Sequence, residues 1–208
     1  MSTTTMDVIT DKVIENAYTY EEYRNMIDEL LAEGKTTGSN HSDSMIHYTK
    51  MNAHRMNRLD KRSDLTDDLK AELDKVQELM IWLVLTEAWC GDAAQNLPVI
   101  NKMAEYSDKI DLKLILRDEN LAIMDQFLTN GKSRSIPKLI SIDKETKEVL
   151  GSWGPRPATA RELYDSLRND ENIPYQEVSE KLQKWYTENQ NQEIQSEFAE
   201  LLQEWQNR

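Results

Sequence analysis

The stretch Ile81-Trp82-Leu83-Val84-Leu85-Thr86-Glu87-Ala88-Trp89-Cys90-Gly91-Asp92-Ala93 decides the fold. It opens as a short continuous apolar run, the pattern of a strand buried on both faces, and runs into Leu97, Ile100, Met103 and Ala104 at helical spacing. Cys90 therefore stands where a buried strand turns into a helix. Unsatisfied backbone N–H groups and the helix dipole favour an anion there, which predicts a lowered thiol pKa and a reactive sulfur. Asp92, two residues on, works against this by repelling a thiolate. The plain alternative for a lone cysteine is a small buried hydrophobe. Its strand-to-helix position and the Trp-Cys-Gly context favour the reactive reading.

Outward from this stretch the pattern stays α/β. Asp111 to Leu116 reads as a second strand, and Leu121, Met124, Phe127 and Leu128 mark a helix that stops at Gly131. Pro137 opens a third strand, Lys138 to Ile142. The polar turn Asp143 to Lys147 leads to a fourth, Val149 to Trp153, and its shortness predicts that the last two strands pair antiparallel. The fold class is thus α/β, a small mixed sheet of about four strands with helices on both faces. Pro157 or its neighbours begin a further helix carrying Leu163, Tyr164 and Leu167.

Residues 1–79 read as an N-terminal helical extension packed on this core. Thr19 and Glu22 fit a capping box, Tyr23, Met26, Ile27, Leu30 and Leu31 recur at helical spacing, and Gly34 suits a C-terminal cap. A polar loop, Thr36 to Ser44, precedes a second helix over about Ser44 to Asp60. This region is locally basic, with five cations against two acids between His41 and Arg62, and reads as pairing with the acidic terminal helices or, alternatively, binding a partner. Thr66 caps a third helix with Leu69, Leu73 and Val76 on its apolar face. Residues 169–208 form an acidic amphipathic C-terminal extension, nine acids and three bases from Asp170 onward. Its apolar stripe (Val178, Leu182, Trp185, Ile194, Phe198, Leu201, Leu202, Trp205) is read as packing on the chain's own domain, with a homodimer through the C-terminal helix as the alternative.

Three markers fall in register: Trp89-Cys90-Gly91, Pro98 eight residues after Cys90, and Ile136-Pro137 before an apolar strand. In these residues the chain resembles the thioredoxin superfamily. The resemblance implies a thioredoxin-like domain over residues 80–168 with Cys90 as its catalytic residue. It also implies that Pro137 is a cis-proline holding a backbone edge where a substrate chain pairs beside the sulfur. Trp89, Gly91, Asp92 and Ile136 then line the substrate site. More narrowly, the chain resembles a bacterial thioredoxin-like subfamily with a single-cysteine Trp-Cys-Gly-Asp-Ala motif and helical extensions, to which Trp153-Gly154-Pro155-Arg156-Pro157 also points.

The departures from that family narrow the chemistry. Its second, resolving cysteine falls at Ala93, and the buried acid of its central strand falls at Val84. Cys90 is the only cysteine in the chain, so the two-thiol cycle is lost. What remains is a monothiol route, in which Cys90 attacks a protein or small-molecule mixed disulfide, takes up the small thiol and is released by a second thiol molecule. That route needs a site for an anionic low-molecular-weight thiol. In this fold Lys132, Arg134 and Lys138, which flank Pro137, are expected near the sulfur, to offset Asp92 and bind carboxylates, while Arg156 lies in the Gly-Pro-Arg-Pro loop; the bland alternative is that they are solubility charges. The first functional reading is therefore a monothiol thiol–disulfide oxidoreductase. The second is a redox-inactive thioredoxin-fold module for peptide binding, chaperoning or another interaction.

Composition bounds both readings. The 208 residues carry 25 Lys and Arg against 38 Asp and Glu, a formal charge of −13, which argues against nucleic acid or an anionic membrane as partner. Mean hydropathy is −0.73, and no apolar run approaches the roughly 20 residues of a membrane helix. Met1 to Ile14 is broken by Asp7, Asp11 and Lys12 and lacks the apolar core of a signal peptide, which places the protein in the reducing cytoplasm. His47 and His54 lie about 10.5 Å apart along a helix, too far to share a metal, and no metal or cofactor is expected. An iron–sulfur cluster bridged by Cys90 would call for glycine-rich signatures that are not evident. Glu87 reads as a solvated strand-end acid in preference to a proton shuttle.

Overall fold

A computed structural model describes residues 8–207; Met1 to Asp7, part of the N-terminal stretch read above for a leader, and Arg208 lie outside the described residues. Strand β1 (Met80–Thr86) is buried along its whole length. It pairs in parallel with β2 (Ile110–Leu116), from Met80 opposite Ile110 to Thr86 opposite Leu116. On its other side β1 runs antiparallel to β3 (Lys138–Asp143), which pairs antiparallel with β4 (Val149–Trp153) through a bulge at Ser141/Ile142. The order is β2-β1-β3-β4. The continuous apolar run of β1 follows from its central place, since both of its faces are covered.

The helices upstream are α1 (Asp11–Glu15), α2 (Tyr20–Ala32), α3 (Asp43–Arg62) and α4 (Asp67–Leu73). The capping box of α2 is formed: the Thr19 N–H donates to Glu22 Oε2 at 2.8 Å and the Glu22 N–H to Thr19 Oγ1 at 3.2 Å. Just before it, the Tyr18 backbone makes an isolated bridge to Leu114, covering the outer edge of β2. Arg24 of α2 and Asp60 of α3 form an ion pair at 2.6 Å. After β1 come α5 (Gly91–Tyr106) and, beyond β2, a 3-10 turn (Arg117–Glu119) and the single-turn α6 (Leu121–Met124). The longer helix expected through Leu128 is replaced after Met124 by tighter turns, Gln126 and Phe127 bonding back three residues.

Downstream lie α7 (Ala158–Arg168), α8 (Tyr175–Asn189) and α9 (Gln192–Gln206). Gln190 and Asn191 both take left-handed φ values, 51° and 62°, reversing the chain within two residues. The reversal sends α8 and α9 to different places. Helix α9 packs on the sheet, with Phe198 5.2 Å from Trp82 and 5.3 Å from Trp153 between ring centroids, and Trp205 6.1 Å from Trp82. The Trp205 indole occupies the space that a Cβ on Gly151 would need, so that glycine lets helix and strand close together. Ile194, Phe198, Leu202 and Trp205 are all buried in this way. The α9 part of the C-terminal stripe is thus covered by the chain's own sheet, whereas Leu182 of α8 packs with Ala160 of α7. No helix among the described residues is long and apolar enough to cross a membrane.

Candidate functional site

Strand β1 ends at Thr86 and α5 begins at Gly91, so Cys90 is the N-cap of α5. The Asp92 and Ala93 backbone N–H groups at the start of α5 act to lower its pKa. They do not prevail. Burial dominates, the Asp92 charge adds to it, and the thiol is pushed up from 9.0 to about 12. This corrects the expectation of an activated thiol: the helix N-terminus is present, but the sulfur is only 9% exposed. Its S–H donates to the Ile136 carbonyl at 3.3 Å. The Ile136–Pro137 peptide is cis, and both residues are buried.

The Asp92 carboxylate is held by two partners. Arg156 donates to Asp92 Oδ2 through Nε at 3.2 Å and Nη2 at 2.5 Å. The Tyr186 hydroxyl donates to Oδ1 at 2.9 Å and accepts from Asn96 Nδ2 at 3.2 Å. Burial alone would lower the Arg156 pKa; Asp92, with Tyr186 and Tyr164 adding, raises it instead. The arginine also lies 4.0 Å over the Tyr164 ring. Its loop is fixed from behind by α9, where Glu197 accepts from Trp153 Nε1 and from the Ala158 N–H, both at 2.6 Å. Gly154, at φ 119°, brings the loop so close to β3 that a Cβ would strike the Pro137 carbonyl.

Above Cys90 and Gly91 a cleft of about 320 Å³ opens between α3 and α8. Met45, Tyr48, Met51 and Arg55 of α3 form one wall, and Tyr175, Leu182 and Gln183 of α8 the other. Gln183 accepts from Gln95 Nε2 at 2.7 Å, tying α8 to α5, and Gly91 leaves room for both Gln183 and the Arg55 guanidinium. Trp89 also lines the cleft, with Arg117 4.9 Å over its ring.

The expected cations divide differently from the sequence reading. Lys132, Arg134 and Lys138 do not line this cleft. Lys132 is exposed, Arg134 pairs with Asp125 at 2.6 Å, and Lys138 is buried with its Nζ donating to the Gly154 carbonyl at 3.4 Å. Arg156 and Arg55 are the arginines brought to the sulfur's side. Arg55 belongs to the basic stretch noted in the sequence, but only the packing of α3 on α5 aims it here. Nothing in the sequence marked Tyr186. Glu87, expected to be solvated, is fully buried, and burial raises its pKa. Its Oε1 accepts the Asp118 N–H at 2.9 Å, whereas Oε2 has no partner.

A family model described as thioredoxin matches residues 38–168. The chain belongs to the thioredoxin family. The match takes in α3 and α4, which the sequence reading grouped with an extension, and stops before α8 and α9. One wall of the cleft therefore comes from outside the thioredoxin match. A solved structure of a protein of unknown function from Pseudomonas aeruginosa is similar at 16% identity and a TM-score of 0.55, covering 89% of this chain and 98% of that one. An HIV epitope scaffold is similar at 18% identity and a TM-score of 0.53, covering 85% of this chain and 96% of that one. At these identities the likeness is one of fold. No curated protein matches the chain. In this chain, Ala93 and Val84 stand buried where the resolving cysteine and central acid of the family are expected.

Proposed function

We propose that this member of the thioredoxin family works as a binding module, with Cys90 held as a neutral thiol on the floor of its cleft instead of being turned over as a redox catalyst. The observation that carries this reading is the state of the sulfur: buried, and hydrogen-bonded to the carbonyl of Ile136. A nucleophilic thiol needs its thiolate form and a path for an incoming disulfide. Here burial and then Asp92 disfavour the thiolate, outweighing Arg156, which favours it but is engaged by that same Asp92.

The test is turnover of a glutathionylated peptide together with intact-mass detection of a mixed disulfide on Cys90. The binding reading expects no turnover above background and no change in Cys90→Ser. Turnover that disappears in Cys90→Ser would overturn it in favour of the monothiol oxidoreductase. One observation favours that second reading: Cys90 shares the cleft lining with Trp89 and Gly91, so a disulfide seated there lies against the sulfur.

A further inference from the structure

The geometry points to the cleft between α3 and α8 as a site for a small organic monoanion, a carboxylate on a flat apolar body, with Arg55 receiving the charge. This rests on the binding-module reading and names the ligand class for it.

The argument begins with charge. Arg156 and Asp92 neutralise each other inside the cleft wall, their side chains 11% and 10% exposed. Arg55 has no such partner. Among the described residues it forms no salt bridge; its Nη1 donates to the neutral Asn52 Oδ1 at 2.8 Å. Asn52 is itself held, its Nδ2 donating to the Ala88 carbonyl at 2.9 Å. The guanidinium is thus aimed and still short of a counter-charge. Burial and the neighbouring Arg58 both disfavour its charged form, with Asp92 opposing them. A planar carboxylate matches the remaining donors of the arginine fork. A dianion would leave one charge unbalanced in a partly desolvated site.

The apolar requirement comes from the walls. Tyr48 and Tyr175 stand at the cleft 41% and 58% exposed, two of the large apolar side chains most open to water. Met45, Met51 and Leu182 continue the surface inward. Concave sites of a few hundred Å³ with aromatic walls and few polar groups are the usual form of small-molecule pockets.

Indole-3-acetate and its uncharged counterpart indole-3-acetamide separate the two parts of the proposal, read by calorimetric titration. The acetate is expected to bind about tenfold or more tightly than the amide, as for one hydrogen-bonded charge pair. Arg55→Gln should erase that difference. Equal binding of both probes, no binding of either, or an unchanged preference in Arg55→Gln overturns the assignment. Should that variant fail to fold, Arg55→Lys decides: it keeps the charge but not the planar fork, so the preference for the acetate should shrink several-fold, and an unchanged preference overturns the assignment. Neither probe carries sulfur. Thiol exchange at Cys90 could therefore refute the binding-module reading without touching this result.

Discussion

Arg156 and Asp92 form a buried ion pair, with Nη2 2.5 Å from Oδ2, joining the loop after β4 to the first turn of the helix that begins at the cysteine. The pair explains how an acid is tolerated two residues from a buried sulfur: its charge is balanced by an arginine carried on the loop that Gly154 brings against β3.

Removing one partner should expose that dependence. Arg156→Ala leaves the Asp92 carboxylate buried without its cation, and a loss of about 3–5 kcal/mol in unfolding free energy is expected. Asp92→Asn added to Arg156→Ala should recover part of the loss. Urea denaturation of the two variants measures it, and equal stability of both would show that the charge is not what the arginine compensates.

Iodoacetamide should react slowly with Cys90. With the thiol raised from 9.0 to about 12, the thiolate fraction at neutral pH is about a thousandfold below that of an ordinary cysteine. The rate should keep rising with pH beyond the point where a free thiol levels off. A rate at pH 7 equal to that of a free cysteine would contradict this placement of the sulfur.

The same shift ties stability to alkaline pH. Because the folded thiol keeps its proton to a higher pH than the unfolded one, the contribution is complete below about 9 and is lost as pH climbs toward 12. Tyrosines titrate in that range too, so the comparison is with Cys90→Ala. The wild type should lose more stability than the variant between pH 8 and about 10.5; parallel curves would refute it.

Tyr186→Phe tests whether α8 covers the sulfur. It removes the hydroxyl that donates to Asp92 and accepts from Asn96, and about 1.5–3 kcal/mol is expected for a hydrogen bond to a charged group. Alkylation of Cys90 should quicken as α8 loosens. Lost stability with an unchanged alkylation rate would separate the helix from access to the thiol.

How much could be read without the structure follows from the range of each interaction. The capping box at Thr19 and Glu22, the buried run of β1 and the short turn between β3 and β4 are set by neighbours within a few residues, and they form as expected. The helix expected through Leu128 is cut short where local turns take over. At the site, the place of Cys90 at the head of α5 was readable because strand and helix are consecutive. Its pKa was not, because the local helix N-terminus lowers it while burial by distant segments raises it, and burial is the larger effect.

By itself the sequence determined the α/β order, the family markers and the single thiol, all consequences of local periodicity and residue identity. Tertiary structure alone decided which charges meet. It drew Arg55 and Arg156 to the cleft, left Lys132, Arg134 and Lys138 outside its lining, and turned the acidic C-terminal segment into one cleft wall and a sheet cover. The physical reason is distance in the chain. Asp92, Arg156 and Tyr186 come together only once the sheet and the α8–α9 reversal have formed, and the electrostatics of a buried group depend on everything packed around it.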